Sequence, residues 1–346
     1  MPYPLPLEPS MSASAEITHR ARRLSDRPVV ASGSAPGYDP VFNAGLLFHD
    51  GRYHVFARGV RSGYRLNPGD GPKFLDYISD ILVFDSPDGL HYDFGYVLAS
   101  AGVHAVDAQA LEDPRVQRVR NGSGEHVVMT YTHLPADPHE PWRIGVHRLD
   151  YEAQADRFLL DEGSGRLIGP DGIANKDAVL FNLADGRIAM LHRIHPNIQV
   201  ATFDSLEHLF DADGAYWETH LAEIEHHTII APSPGAFAVG AGAPPILTPE
   251  GFILLFHERR ADGAYTVNAA LLDAGTGRTI SRLIEPILEP ELPWEREGDV
   301  NNVVFVQGAH RRDDGTIYMT YGAADRAVGA AVVSERHLLA ALAAAR

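Results

Sequence analysis

The stretch N-A-G-L-L-F-H-D-G-R-Y-H-V-F-A-R at residues 43–58 places two apolar runs on either side of a His-Asp-Gly turn. β-Branched and aromatic residues favour strands, and the glycine permits the positive φ that a tight hairpin needs. The stretch therefore predicts a β-hairpin. Four later stretches follow a similar pattern, at residues 126–133, 177–193, 244–259 and 302–325.

A repeat runs through the chain, and one residue in each stretch marks it: Phe56, Tyr131, Leu191, Phe256 and Tyr321. The spacings between these markers are 75, 60, 65 and 65 residues. Such regular spacing indicates the blades of a propeller, whose inner ends meet in a polar pocket. We therefore predict an all-β fold, a five-bladed β-propeller. The alternative is a β-sandwich, whose strands repeat at roughly 8–12 residues without a longer period.

The two ends of the chain differ from the repeat. Residues 1–28 mix Pro, Ser and Arg without a continuous apolar run, so we predict an N-terminal tail or packing arm. A short helix over residues 11–24 is the alternative there. Residues 29–346 are predicted to form a single propeller domain, and the Leu- and Ala-rich residues 334–346 predict a short C-terminal helix at its end.

Composition limits the classes of partner. The 346 residues include 29 Lys and Arg against 46 Asp and Glu, a formal net charge of -17. Such a chain repels polyanions, so we predict no nucleic-acid partner and no membrane partner. Because the sequence has no Cys, disulfides and cysteine nucleophiles are excluded. No export signal is recognisable, so we expect a cytoplasmic protein, and self-association into a homo-oligomer stays open.

A candidate acid lies in the segment A-L-E-D-P-R at residues 110–115. It combines two carboxylates with a guanidinium, and Pro114 fixes the chain direction. An acid at the mouth of a channel suits protonation of a leaving group. The alternative interpretation is a solvated turn in which Asp113 caps Arg115.

Three basic side chains end predicted strands of this acidic chain: Lys176, Arg193 and His257. Facing one channel, they would form an anion site of phosphate size. The alternative is that each makes a separate surface ion pair. The His residues at positions 220, 226 and 227 lack the spacing of a metal site, so we predict no bound metal.

Six motifs in order resemble glycoside hydrolase family 130: F-N-A-G at 42–45, E-D-P-R at 112–115, N-K-D-A-V-L-F at 175–181, G-A-G-A-P-P-I at 240–246, N-V-V-F at 302–305 and Y-G-A-A-D at 321–325. The resemblance spans roughly residues 39–335 and implies a five-bladed propeller. It also implies phosphorolysis of β-mannosides with inversion, which yields α-mannose 1-phosphate and a shortened acceptor sugar. Some members of the family instead hydrolyse β-1,2-mannosides.

The resemblance also implies roles for individual residues. Asp113 is similar to the family's single proton donor, which reaches the glycosidic oxygen through the sugar's own 3-hydroxyl. Residues that resemble the ligands of the nonreducing mannose are Asn43, Arg58, Asp177 and Asp325. Those that resemble the phosphate ligands are Lys176, Arg193 and His257. The implied co-substrate is inorganic phosphate, the implied partner is an oligosaccharide, and no cofactor is expected.

Two positions depart from the family pattern. Phosphorylases of the family usually carry Lys immediately before the run that begins here at Val239, but this chain has Ala238. Glu258 stands where the family commonly has Gly. If the enzyme were a hydrolase, Glu258 or Glu225 would be the candidate base that activates water, although Glu225 also fits an exposed strand with Glu223. We expect phosphorolysis, with β-1,2-mannoside hydrolysis and a non-catalytic sugar-binding propeller as the alternatives.

Overall fold

The computed structural model describes residues 19–70, 73–122 and 124–346. Residues 1–18, which hold most of the predicted arm and the start of its alternative helix, lie outside the described residues. Within the described ranges the chain consists mostly of β-strands with a few short helices. The all-β prediction is therefore confirmed.

The strands of the first half of the chain are β1 (Arg22–Arg23), β2 (Tyr38–His49), β3 (Arg52–Arg61), β4 (Arg65–Leu66), β5 (Phe74–Leu75), β6 (Ser79–Ser86), β7 (Asp93–Ala99), β8 (Ala108–Asn121), β9 (Gly124–Pro135), β10 (Arg143–Glu152), β11 (Arg157–Leu160) and β12 (Arg166–Ile168). One 3₁₀ turn, Glu162–Ser164, precedes β12.

The strands of the second half are β13 (Lys176–Asn182), β14 (Ile188–Arg193), β15 (Ile198–Phe203), β16 (Thr228–Ile230), β17 (Ala238–Ala241), β18 (Ile246–Thr248), β19 (Gly251–Arg259), β20 (Tyr265–Leu272), β21 (Thr279–Arg282), β22 (Val304–Arg311), β23 (Thr316–Ala323) and β24 (Ala327–Ser334). The helices are α1 (Leu206–Phe210), α2 (Gly214–Ala222), α3 (Ile224–His227), α4 (Pro293–Arg296) and α5 (Glu335–Ala344).

In the described part of the chain, these strands form five antiparallel units of four: β2-β3-β6-β7, β8-β9-β10-β11, β13-β14-β15-β16, β17-β19-β20-β21 and β22-β23-β24-β1. β12 also pairs with β10, and β18 with β19. A single parallel bridge between Ser79 and Ala110 joins the first two units into one sheet. β1 comes from the predicted arm, where Arg22 pairs with Val332, so the start of the described chain completes the last unit.

The first strands of the units contact one another in sequence. β2 contacts β8, β8 contacts β13, and β13 contacts β17. The fourth unit then contacts the fifth through β19, β20 and β22, and β22 returns to β2. Contacts thus pass through all five units and back to the first.

Local chemistry explains the hairpins. Asp50 and Gly51, between β2 and β3, have φ of 45° and 77°. Gly186 and Gly315 have φ of 91° and 79° in the turns after β13 and β22, which lie within the predicted stretches 177–193 and 302–325. Aspartate and glycine tolerate this left-handed region better than other residues. The predicted hairpin turns are therefore confirmed at these positions.

The core lies between neighbouring units, where alternate residues of the strands pack against each other. The predicted C-terminal helix is confirmed as α5: Ser334 caps its first turn, and Leu338 and Leu342 are completely buried against the fourth and fifth units. No helix among the described residues is both long and apolar enough to span a membrane.

Candidate active site

A polar cavity of about 120 Å³ is lined by residues from all five units. The residues that line it are Asn43, Arg58, Glu112, Asp113, Lys176, Arg193, Tyr265, Val300, Val303, Phe305 and Asp325. It brings together six residues predicted from the sequence, which lie in four of the five units. Asp177 and His257 lie immediately behind this wall and are almost completely buried.

Three of the polar side chains are placed by the same backbone feature, a residue with positive φ at a β-bulge. Asn43, Asp113 and Asp177 have φ of 48°, 52° and 58°, each at a shift of strand register in β2, β8 or β13. A bulge re-aims a side chain, and Asn and Asp are the residues other than glycine that most readily adopt positive φ. Asp325 has φ of 55° in the turn between β23 and β24. Positive φ at four clustered polar residues is typical of functional sites.

One part of the cavity, the carboxyl side, consists of Glu112, Asp113 and Asp325 near the guanidinium of Arg58. Asn43 Nδ2 donates to Asp113 Oδ1 at 2.9 Å, and Arg58 Nη1 donates to the same oxygen at 3.3 Å. Arg58 Nη2 donates to Glu112 Oε1 at 2.5 Å. Arg58 is thus shared between two neighbouring carboxylates.

Crowding of carboxyl groups changes their protonation. Burial raises the pKa of Glu112, Arg58 opposes the rise, and the neighbouring Asp113 adds to it. Burial also raises the pKa of Asp325 to about 7, again against Arg58 and with Asp113. The carboxyl side can therefore retain a proton near neutral pH.

A second part of the cavity, the cationic side, consists of Lys176, Arg193 and His257 near Asp177. Arg193 Nε lies 3.1 Å from Asp177 Oδ2, and His257 Nε2 lies 3.4 Å from the same oxygen. Burial alone would raise the pKa of Asp177, but Arg193, His257 and Arg115 together hold it well below its usual value. Asp177 is therefore ionised. Gly240 packs against Asp177 and His257, and any side chain at position 240 would collide with Asp177 Oδ2 and His257 Nε2.

The cationic side chains differ in what they face. The ammonium of Lys176 lies 4.5 Å from the centroid of the Trp142 ring, and no carboxylate among the described residues pairs with it. Burial and the neighbouring Arg193 lower its pKa. His257 is completely buried, with its ring 4.0 Å from that of Phe305, and burial lowers its pKa to about 4. At neutral pH, Lys176 and Arg193 therefore face the cavity and a neutral His257 lies behind them.

Arg115 connects the two sides. It is almost completely buried, and its guanidinium donates to the Asp113 carbonyl oxygen at 3.0 Å and to Asp177 Oδ1 at 3.0 Å. It also donates to the carbonyl oxygens of Ala241 and Gly242 at 2.9 and 2.8 Å. The interpretation of E-D-P-R as a solvated turn is therefore wrong, because the long-range partners of Arg115 bury it.

Several residues that line the cavity or contact its lining were not predicted as site residues. Glu112 belongs to the E-D-P-R motif, so the motif itself carried a signal for it. Tyr77, whose hydroxyl accepts a hydrogen bond from Arg58, comes from a loop without a recognisable pattern. Phe305 ends the N-V-V-F motif at 302–305, so the resemblance offered a signal for it. Tyr265 is an aromatic residue at the start of a strand, and nothing in the sequence separates it from core residues.

The two glutamates considered as water-activating bases lie outside this cavity. Glu258 follows His257 in β19 and so faces the other side of the strand, where Oε2 accepts from Ser233 N at 3.0 Å. Glu225 is exposed on α3. The exposed-strand interpretation of Glu223 and Glu225 is wrong, because this segment is helical. No group of three His, Asp or Glu side chains in the described part of the chain could hold a metal ion.

Comparison with known proteins gives a consistent result. The sequence model of glycoside hydrolase family 130, described as beta-1,4-mannooligosaccharide phosphorylase, matches residues 14–344. A 1,2-beta-oligomannan phosphorylase of Thermoanaerobacter sp. (strain X514) is 31% identical over 330 residues, which cover 92% of this chain and 99% of that protein.

Solved structures agree on the fold. Beta-1,2-mannobiose phosphorylase from Listeria innocua, in complex with beta-1,2-mannobiose, superposes with a TM-score of 0.72 at 20% identity, over 94% of this chain and 99% of that one. A structure reported with hydrolases of the family that target beta-1,2 mannosidic linkages in Candida mannan has a TM-score of 0.68 at 20% identity, over 94% and 96%. Because the family match extends over nearly the whole chain, this protein belongs to glycoside hydrolase family 130 and is an enzyme of the glycoside phosphorylase and hydrolase type.

Proposed function

We propose that this enzyme cleaves β-1,2-mannosides by phosphorolysis, with inversion at the anomeric carbon. The observation that carries the proposal is a single cavity with hydrogen-bonded carboxyl groups on one side and the cations Lys176 and Arg193 on the other. The name of the Thermoanaerobacter relative supports the choice of phosphorolysis and of the β-1,2 linkage. The products would be α-mannose 1-phosphate and an acceptor sugar shortened by one mannose.

Asp113 is our candidate for the proton donor. Its carboxyl proton would pass through the 3-hydroxyl of the bound mannose to the glycosidic oxygen as the bond from that oxygen to the anomeric carbon breaks. The bonds from Asn43 and Arg58 to Asp113 Oδ1 fix the carboxyl group and leave Oδ2 for the sugar. Protonation of the leaving oxygen matches what an oxocarbenium-like transition state requires.

Lys176 and Arg193 are our candidates for direct phosphate contact. A phosphate oxygen would attack the anomeric carbon from the face opposite to the leaving group, so no second carboxylate is needed. Charge-assisted bonds from these two cations would hold the nucleophile in line. We assign His257 a supporting role in the phosphate site, since it touches Asp177 from behind the cavity wall.

The nonreducing mannose would lie between the two sides. Asn43, Arg58 and Asp325 line the cavity, and their amide, guanidinium and carboxyl groups suit recognition of vicinal hydroxyls. Asp177 lies behind the cavity wall, where it would position the sugar site indirectly through its ion pairs with Arg193 and Arg115.

We also propose that the five antiparallel units are the blades of a five-bladed propeller. The contacts that pass from the first unit to the fifth and back to β2 support this arrangement. The cavity would then lie at one mouth of the central channel, where blade ends meet.

The proposal is tested by incubating the purified enzyme with β-1,2-mannobiose, with and without inorganic phosphate, and identifying the products. We expect α-mannose 1-phosphate and mannose in a one-to-one ratio, and only when phosphate is present. Release of two equivalents of free mannose at the same rate without phosphate would instead establish hydrolysis.

A further inference from the structure

The pleat of β19 separates the residues at its end. His257 and Arg259 lie on one face of the strand, and Glu258 lies on the other. The face that carries His257 is the one that approaches Asp177 and the cavity. Arg259 is therefore the next side chain along the strand on the cavity face.

Arg259 also lies in a row of three paired residues that crosses three strands. It pairs with Ala238 of β17 on one side and with Tyr265 of β20 on the other. Directly paired residues in antiparallel strands point to the same face, with Cβ atoms about 4.5–5.5 Å apart. Ala238 is the position where phosphorylases of the family usually carry Lys. The Cα of Arg259 therefore lies on the strand next to position 238, where this chain lacks the lysine.

The Arg259 guanidinium lies beside two aromatic rings, one of which lines the cavity. Its Cζ lies 5.8 Å from the ring centroid of Tyr265 and 5.2 Å from that of Phe237. Tyr265 lines the cavity together with Arg193. Burial raises the pKa of Tyr265, and Arg259 and Arg193 both act to lower it, so both positive charges reach its hydroxyl.

Arg259 keeps its charge available. Among the described residues no carboxylate pairs with it, whereas the adjacent Arg260 forms an ion pair with Glu289 at 2.8 Å. An exposed guanidinium stacked on aromatic rings retains its planar set of donors for an anion.

We propose that Arg259 is a further phosphate-binding residue, which supplies from β19 the positive charge that position 238 lacks. This inference rests on the proposed phosphorolysis. Arg259 would approach the phosphate from the Tyr265 side of the cavity and complete a set of three cations with Lys176 and Arg193. The residue would bind the nucleophile and would leave the mannose contacts unchanged.

The first test is the dependence of phosphorolysis of β-1,2-mannobiose on phosphate concentration in Arg259→Gln. Loss of one charge-assisted contact at the rim predicts a KM for phosphate about tenfold higher, with kcat and the KM for mannobiose nearly unchanged. Arg259→Lys should recover part of the phosphate affinity. The matched control is Arg260→Gln, which removes a neighbouring arginine already paired with Glu289 and should leave the KM for phosphate unchanged.

The second test moves the positive charge from position 259 on β19 to the paired position 238 on β17. If the positive charge is what matters, Ala238→Lys combined with Arg259→Gln should restore most of the phosphate affinity. If Arg259 only packs on Tyr265 and Phe237, the added lysine will not restore it.

Three outcomes would overturn the inference while leaving phosphorolysis intact. These are an unchanged KM for phosphate in Arg259→Gln, a rise confined to the KM for mannobiose, and failure of Ala238→Lys to restore affinity. Failure of the proposed function is distinguishable, because the wild-type enzyme would then release mannose without any dependence on phosphate.

Discussion

The two sides of the cavity differ in charge, although residues with positive φ occur on both. On the carboxyl side one cation, Arg58, serves Glu112 and Asp113, and the pKa values of Glu112 and Asp325 are raised. On the cationic side one carboxylate, Asp177, is approached by Arg193, His257 and the connecting Arg115, and its pKa is lowered. The ratio of cations to carboxylates therefore differs between two walls of one small cavity.

This difference separates two chemical tasks. A side with surplus carboxyl groups can hold a proton for a leaving group, whereas a side with surplus cations can hold an anionic nucleophile. Inverting cleavage needs the acid and the nucleophile on opposite faces of the sugar ring. Arg115 contacts both Asp113 and Asp177, so the spacing of the two sides depends on one buried side chain.

The largest effect is expected from Asp113→Asn, which removes the proposed proton donor. General acid catalysis contributes about 10²- to 10⁴-fold, so kcat on β-1,2-mannobiose should fall by that range. The fold should survive, because the asparagine oxygen can still accept from Asn43. Steady-state kinetics and thermal melting measure the two effects. Turnover near the wild-type rate would remove Asp113 from its proposed role.

Arg115→Met tests the connection between the two sides. Removing one partner from a buried ion pair costs about 3–5 kcal/mol, because Asp177 and the carbonyl oxygens lose a donor. Denaturant unfolding should show this loss in the free energy of unfolding. Arg118→Met is the control: its ion pair with Glu125 is partly exposed, so little change is expected there. Equal stability of the two variants would contradict the connecting role.

Lys176→Met should weaken the binding of phosphate more than the binding of mannobiose. The ammonium has no paired carboxylate among the described residues, so its charge is available to a phosphate. Loss of a contact of about 1.5–3 kcal/mol predicts a KM for phosphate roughly 10- to 100-fold higher, with a smaller change in the KM for mannobiose. A rise limited to the KM for mannobiose would show that Lys176 belongs to the sugar site.

Asp325→Asn should change how stability depends on pH. The pKa of Asp325 is about 7 in the fold against an ordinary value of 3.8, so the folded state binds this proton more tightly. Its contribution to stability is present at low pH and is lost as pH rises through 7. The melting temperature of the variant relative to wild type should therefore be higher at pH 8 than at pH 5. An identical difference at both pH values would argue against a raised pKa.

Glu258→Gln is expected to have the smallest effect. Glu258 faces away from the cavity and accepts from Ser233 N, a bond that the glutamine oxygen can also accept. The rate of phosphorolysis should stay within about twofold of wild type, since no reacting group is removed. A large loss of activity would contradict this placement and would support Glu258 as a base that activates water.

The sequence predicted local features well because they depend on nearby residues. The hairpin at Asp50 and Gly51 follows from their tolerance of positive φ, and α5 follows from its Leu and Ala content. The E-D-P-R motif located Asp113, but it did not reveal the burial of Arg115. That burial depends on partners 62 to 127 residues away, such as Asp177 and Gly242.

Long-range register explains the remaining differences. Whether His257 or Glu258 faces the cavity depends on how β19 pairs with β17 and β20, and sequence alternation alone does not say which face is inward. The segment with Glu223 and Glu225 is too short for periodicity to separate helix from exposed strand. Its helical form is therefore known only from the structure.

The most direct test of the divided cavity is a crystal structure of Asp113→Asn with β-1,2-mannobiose and inorganic phosphate. We expect the phosphate within hydrogen-bonding distance of Lys176 and Arg193, with the nonreducing mannose between it and residue 113. The phosphate should lie on the face of the ring opposite to the glycosidic oxygen. A phosphate bound beside Arg58, or a sugar that leaves no space for an anion near Lys176, would contradict the account.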